Sequence, residues 1–419
     1  MLNRTIAPKL QVIDSIDFVA PRKYTLANGI KLYHMKDVPN ETARFDLYFD
    51  AGKFRGKKGI PSFVNGLLLS GTATKTSVQI NEEINEKGGF FESGVSVESA
   101  VISMHCLREF LLPILSTITD AIVNVAFHEK EVVELLADKK QHFKISQEKV
   151  SYLAQRAFQK ELFSSNEAYS NATQLEDFDA VSSADLKDFH RKHYLNGLQK
   201  VVVVGDLSEG EMIALKSILS VFGGATSNDF DAVLKNKPGI HSIEKKDAIQ
   251  SAIRVGRTLF TKNHPDYLDF LVVNTLLGDY FGSRLMTNIR EDKGYTYGIG
   301  SMMAELNASG YFLIATEVGK DVKENALAEI KVEIDRLRNE LVQEGELALV
   351  RNYMLGQLLK SADGPYAMTD LFLSVEMHGK DLDFYNEALE SLHTITPERI
   401  QQLANTYLRW EDLSIVTAG

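Results

Sequence analysis

The chain has 419 residues, 44% hydrophobic and 25% charged, with a formal net charge of −11. That length accommodates two or more domains with real cores, and an acidic balance without a basic block argues against a nucleic-acid partner. The single cysteine, Cys106, excludes an intramolecular disulfide and sits in an apolar run, as core filler does. No window is long and apolar enough for a membrane span. The N-terminus lacks the apolar stretch of a signal peptide. The expected location is therefore cytoplasmic, with a periplasmic one left open for a trimmed chain.

In chain order, residues 1–22 are polar and contain proline, the composition of an arm laid on the surface. Two short alternating runs flank Asn28-Gly29, a hairpin signal. A half-buried strand is predicted over 43–52 and helices over 59–70 and 77–87. Ser77 stands as the cap of the second helix, with Gly88-Gly89 as its stop. A strand over 99–107 leads into long helical patterns over 109–163. A helix over 183–193 then precedes a buried strand over 200–206.

The pattern restarts after a loop-like stretch near 225–240. It gives a strand over 251–260, a helix over 266–277, a strand over 310–318, and helices over 321–341 and 346–377. Both halves close on an amphipathic helix ending in tyrosine (Tyr194, Tyr407), a short loop and a strand ending in glycine (Gly205, Gly419). The segments around Asn65 and Asn274 also occupy matching places. This similarity, at a spacing of about 210 residues and well beyond solenoid repeat lengths, implies a duplicated domain. Strands outside strict strand–helix alternation favour α+β layering over a doubly wound sheet.

One stretch, residues 278–301, carries possible chemistry. It reads helix, Lys293-Gly294 break, then strand from Tyr295. Arg290 falls at the helix end and Tyr297 at the strand start, so one turn can bring a guanidinium and a phenol to the same side. Such a pair can hold a carbonyl or an oxyanion. The plainer alternative is a structural arginine beside a strand tyrosine. His190 and His193, three apart near a helix end with two cations between them, read as surface histidines rather than metal ligands.

The run Ser283-Arg284-Leu285 followed by Arg290-Glu291-Asp292-Lys293-Gly294-Tyr295-Thr296-Tyr297 resembles the second domain of the insulinase/pitrilysin metallopeptidases, the inverted zincins. The likeness extends over nearly the whole chain. It implies two homologous α+β domains, each a mostly antiparallel sheet covered by helices, arranged around a central cavity. The corresponding ranges are 1–228 and 241–419, joined by a linker at 229–240. It also implies that Arg290 and Tyr297 are the family's substrate-positioning pair.

The family's first domain carries a His-x-x-Glu-His helix, two histidines on one face binding zinc and a glutamate serving as general base. Here Ser62, Asn65 and Gly66 stand at those places, and none can do the work: the metal motif is degenerate. His142 falls where the third ligand is expected, with Leu135 one helix face earlier. The family's peptide-binding edge strand is represented by the stretch from Gly88 to Gly94, with Glu92 at the place of an asparagine.

Half of an active site is therefore expected, with no metal bound by this chain. The likeness is to the zinc-free member of two-chain bacterial or processing peptidases. In those, zinc is expected in a homologous partner subunit with an intact His-x-x-Glu-His helix, and the two chains together hold a peptide. A homodimer is expected for the isolated chain. The competing expectations are an inactive structural core subunit and a stand-alone peptide-binding protein.

Overall fold

The computed structural model describes residues 13, 15–36, 38, 39, 41–166, 168–170, 173–224 and 234–419. Most of the expected N-terminal arm and part of the expected linker lie outside them. The first half runs β1 (Arg22–Thr25), β2 (Lys31–Met35), β3 (Thr42–Phe49), α1 (Ile60–Leu67), α2 (Ser77–Asn85), β4 (Phe90–Val95) and β5 (Ala100–Leu107). It continues with α3 (Leu111–Val123), α4 (Glu129–Gln147), α5 (Val150–Leu162), α6 (Ser183–His190), β6 (Leu198–Val204) and α7 (Glu209–Leu219). The second half runs β7 (Gly239–Ile243), β8 (Gln250–Leu259), α8 (Tyr267–Leu277), β9 (Ile299–Glu305), β10 (Gly310–Gly319) and α9 (Lys323–Asn339). It ends with α10 (Glu344–Ser361), α11 (Gly364–Glu376), α12 (Asp383–Thr394), α13 (Pro397–Tyr407) and β11 (Ser414–Ala418).

Each half builds one sheet, in the orders β1-β2-β6-β3-β5-β4 and β7-β11-β8-β10-β9. The pairs β2–β6 and β7–β11 are parallel and the rest antiparallel. Period-2 patterning sets the faces. On β5, Ala100, Ile102, Met104 and Cys106 point into the helix-covered core of the first half, and burial raises the Cys106 thiol to about 11. The opposite faces are where the halves join. Helix α5, from the first half, lays Val150, Ala154, Phe158 and Leu162 on Ala252, Leu313, Val416 and Ala418 of the second sheet. Those four positions recur every fourth residue, one stripe of a helix. Reciprocally, α11 from the second half sets Phe372, Leu373 and Val375 against Tyr33 and Val202 of the first sheet. Each large side chain so buried contributes about 1.5–3 kcal/mol, so the exchange fastens the halves. Gly256 permits it, since a Cβ there would lie 2.9 Å from Phe158 Cζ and 2.0 Å from the Phe312 carbonyl oxygen.

Polar contacts complete the join. The buried Glu98 carboxylate accepts from Tyr169 Oη (2.7 Å), Asn307 N (2.8 Å) and Asn307 Nδ2 (2.7 Å). Glu376 on α11 accepts from Tyr33 Oη (2.5 Å), Lys200 Nζ (2.7 Å) and Lys31 Nζ (3.1 Å). Interlocking leaves a cavity of about 450 Å³ between the halves, lined among others by Tyr48, Glu98, Lys200, Asn307 and Glu376.

Several boundaries differ from the sequence reading, each for a local reason. Helix α2 is capped by Thr76, not Ser77. Thr76 Oγ1 accepts from Gln79 N (3.3 Å), and Gln79 Oε1 accepts from Thr76 N (2.9 Å), a capping box. The helix predicted over 346–377 is two helices, α10 and α11, because Gly364 is left-handed (φ +89°) and Pro365 opens the next helix. Winding widens to a π-helix at Arg191–Leu195. His190 and His193 are not surface histidines. His190 is buried with Nε2 2.7 Å from the Ile122 carbonyl oxygen, and half-buried His193 sets Nδ1 2.7 Å from that of Asp50. Burial lowers both pKa values, which keeps the rings neutral.

Candidate functional site

After α8 the chain turns at Gly278 and enters a π-helical segment, Met286–Asp292. Leu285, Met286 and Ile289 anchor one side of it in the second core. Ser283 is fully buried, and Arg284 grips Glu346 of α10 in a fork, Nε to Oε1 at 2.8 Å and Nη2 to Oε2 at 2.9 Å. The Ser283-Arg284-Leu285 run is thus structural, and it fixes the segment. Gly294 ends the segment in the left-handed region (φ +66°), a common helix stop. Gly88 does the same before β4 with φ +64°, so the two halves share this turn.

Arg290 leaves the segment on the side away from the core, its guanidinium 4.7 Å from the centre of the Phe281 ring. Tyr297 is not at a strand start, since ladder pairing begins only at Ile299 opposite Thr316. Side-chain hydrogen bonds hold the intervening backbone instead. Thr296 Oγ1 donates to the Glu317 carbonyl (2.8 Å) and accepts from Gly298 N (3.1 Å), while Thr316 Oγ1 donates to the Gly298 carbonyl (2.9 Å). Tyr297, between the clamped residues, is 96% exposed. Among the described residues Arg290 and Tyr297 share no hydrogen bond; each is presented outward separately. Tyr297 lines a cavity of about 390 Å³ with Gln250, Arg254, Thr296, Thr316 and Glu317, and Arg290 is not in its wall.

In the first half, α1 starts at left-handed Gly59 with Pro61 in its first turn. Asn65 is buried and donates Nδ2–H to Tyr194 Oη (3.1 Å), a phenol that is itself fully buried and pushed up by that burial. Gly66 is exposed, yet a Cβ there would meet Leu135 Cδ1 at 3.1 Å and Lys139 Cε at 3.3 Å. Helix α4 therefore presents Leu135 and Lys139 to this face. His142, expected there, lies seven residues beyond Leu135, about 10 Å along the helix. It is largely exposed, with Nε2 3.5 Å from Asp138 Oδ1 on its own helix. Lys139 is half-buried, and desolvation lowers its pKa more than neighbouring Asp138 raises it. Glu92 is exposed on β4, the edge strand of the first sheet, in register with Ser103.

Two family models match: Insulinase (Peptidase family M16) over residues 33–172 and Peptidase M16 inactive domain over residues 180–354. The chain belongs to the insulinase, or M16, peptidase family. An uncharacterized zinc protease of Rickettsia bellii is 27% identical over 365 residues, 84% of this chain and 85% of its own length. A probable inactive metalloprotease of Bacillus subtilis, YmfF, is 22% identical over 205 residues, 47% of this chain and 46% of its own. A crystal structure of a peptidase M16 inactive domain from Pseudomonas fluorescens superposes with a TM-score of 0.86 at 22% identity, covering 96% of this chain and 98% of that one. That last likeness concerns the fold.

Against the M16 zinc motif, the residues present do not fit a metal. Ser62 and Asn65 are poor zinc ligands, Gly66 has no side chain, and Leu135 fills the space facing it. Among the described residues, no three His, Cys, Asp or Glu side chains are grouped so as to hold a metal ion. Nor is any helix there long and apolar enough to cross a membrane. This is a non-catalytic M16 chain by its own side chains. Sequence reasoning reached Ser62, Asn65 and Gly66 and named Leu135 one helix face before His142, but it did not place Leu135 and Lys139 against Gly66, and it missed Arg254. Nothing in an isolated arginine on a strand marks it; the signal is the cavity.

Proposed function

We propose that this chain is the zinc-free subunit of a heteromeric zinc metalloendopeptidase, contributing substrate binding and transition-state stabilisation. The partner is a homologous chain with an intact His-x-x-Glu-His helix, which supplies metal and general base. The observation that carries this reading is Tyr297: a phenol 96% exposed on backbone clamped at both neighbours. Such a side chain contributes nothing to the core, while its rigid base is what a preorganised donor requires. In the assembled pair Tyr297 donates to the oxyanion that develops on the scissile carbonyl, and Arg290 holds the peptide backbone. The exposed edge of β4, with Glu92, offers a second place for an extended peptide.

The test is peptide hydrolysis by the chain mixed with its zinc-bearing partner. Tyr297→Phe and Arg290→Ala are expected to lower turnover roughly a hundred- to a thousandfold, as loss of an oxyanion donor does, with no change in melting temperature. Unchanged turnover in both variants overturns the assignment.

A further inference from the structure

Arg254 sits on β8, on the sheet face covered by α5, and is only 9% exposed. Its hydrogen bonds go to neutral acceptors: Nε to Gln155 Oε1 (3.3 Å), and Nη1 to the carbonyl oxygens of Ile253 (3.0 Å) and Thr316 (3.3 Å). Its Nη2 has no partner among the described residues and is not one of the sealed-off polar atoms, so it keeps accessible surface. The cavity it lines is the one that Tyr297 also lines, about 390 Å³ in volume. Glu317 stands in the same wall but forms no ion pair with Arg254. Desolvation lowers the guanidinium pKa, and Glu317 offsets this only in part.

The first half shows what the fold does with such a residue when it is purely structural. Arg44, on the corresponding face of the first sheet, has Asp46 Oδ2 at 3.0 Å and Asp370 Oδ1 at 2.7 Å. A nearly buried guanidinium without a carboxylate is electrostatically incomplete, and here Nη2 is left unpartnered on a residue that lines a cavity.

We propose that this cavity is a carboxylate subsite, in which Arg254 Nη2 takes the carboxylate of a peptide held at Tyr297, whether a free C-terminus or an acidic side chain. The subsite rests on the peptide-holding role assigned above. A single unpartnered nitrogen, Nη2, suits a monoanion, and Glu317 in the wall repels a dianion such as phosphate more strongly than a monoanion. Gln250, Thr296 and Thr316 add polar groups around the same space.

The experiment uses the full chain and one fluorescently labelled, otherwise neutral peptide in three forms: free C-terminal acid, C-terminal amide, and amide with one internal glutamate. Binding is read by anisotropy. At least one carboxylate form is expected to bind roughly tenfold tighter than the amide, and which one gains identifies the source. Arg254→Met is expected to bring that form to the affinity of the amide, and Arg254→Lys to restore part of the difference. If Arg254→Met does not fold, the comparison of three peptides on the unaltered chain still decides. Equal affinities for all three forms overturn the subsite and leave the peptide-holding role standing. No saturable binding of any form also overturns the subsite, while the peptide-holding role in the assembled pair stands or falls on the turnover of the Tyr297 and Arg290 variants.

Discussion

Replacing Glu376 by glutamine tests how the two halves are held together. Glu376 is on α11, in the second half, yet all three of its donors, Tyr33, Lys31 and Lys200, belong to the first. Its side chain is only 11% exposed. Burial alone would raise its pKa, but Lys200, Tyr33 and Lys31 outweigh that and bring the carboxyl from 4.5 to about 2. A gap of that size corresponds to about 3 kcal/mol favouring the charged, docked form. Because the folded value is depressed, the contribution is fully present above pH 4.5 and fades as pH falls towards 2. By linkage, about 2 kcal/mol of it disappears between pH 5 and pH 3. Glu376→Gln keeps an acceptor for Tyr33 and removes only the charge. In urea unfolding, the variant is expected to be about 3 kcal/mol less stable at pH 7, the difference shrinking by about 2 kcal/mol from pH 5 to pH 3. A deficit that does not change with pH would show that packing, not the ionic contact, fastens α11. A difference below about 0.5 kcal/mol at pH 7 would refute the contact as a source of stability.

Three further outcomes follow from particular contacts. Restoring the motif with Ser62→His, Asn65→Glu and Gly66→His is expected to leave zinc well below stoichiometric in dialysed protein, measured by elemental analysis. Adding Leu135→Glu, which turns the residue facing Gly66 into a third ligand, is expected to raise it. Asn65→Leu removes the hydrogen-bond partner of buried Tyr194 and is expected to cost about 1–3 kcal/mol in chemical unfolding. Gly294→Ala places a Cβ on a residue at φ +66° and is expected to cost about 1 kcal/mol. Because Gly294 sets the path to Tyr297, its turnover with the partner should also fall, with Tyr297 intact.

Where the signal was periodic and local, the sequence was legible. The strands β1, β2, β3, β5, β6, β8, β9, β10 and β11, with α1, α2 and α8, could be read from alternation and helical spacing; β7, which begins inside the expected linker, could not, and β4 was expected only from the family likeness. The Ser208…Glu211 capping box of α7 was equally readable and was overlooked. So was Asp363-Gly364-Pro365, which divides α10 from α11. The reciprocal placing of α5 and α11 was not readable. Their apolar stripes announce that something is covered, but a stripe carries no information about which sheet it meets. The same limit applied at the degenerate metal helix. The missing ligands at Ser62, Asn65 and Gly66 are sequence facts, whereas Leu135 facing Gly66 depends on how α4 packs across α1. Tyr297 was placed correctly in the chain and wrongly in a strand, because Thr296 and Thr316 side chains replace ladder bonds that alternation had suggested.

Duplication gives an internal control for what is functional here. Both halves keep the left-handed glycine before the edge strand, at Gly88 and Gly294, and both keep a buried asparagine in the helix after the first long strand, Asn65 and Asn274. Both keep the tyrosine at the end of the helix that precedes the last strand, Tyr194 in the π-helical turn after α6 and Tyr407 in α13. Tyr194 bonds Asn65, and Tyr407 donates to Asp266 Oδ2 at 2.5 Å. Asn65, Asn274 and Tyr194 face inward, Tyr407 is half-buried and the two glycines are exposed turn formers, and all of them explain the fold. What the halves do not share is the treatment of the outward groups. On α1 the face that would carry ligands has closed, with Gly66 against Leu135 and Lys139. In the second half Tyr297 remains outside on clamped backbone, and Arg254 remains without a carboxylate, although the first half gives Arg44 two. A scaffold needs neither an exposed phenol on a rigid base nor an incomplete buried cation. Both features concentrate in one cavity, and that cavity is where the chemistry of a bound peptide should be sought.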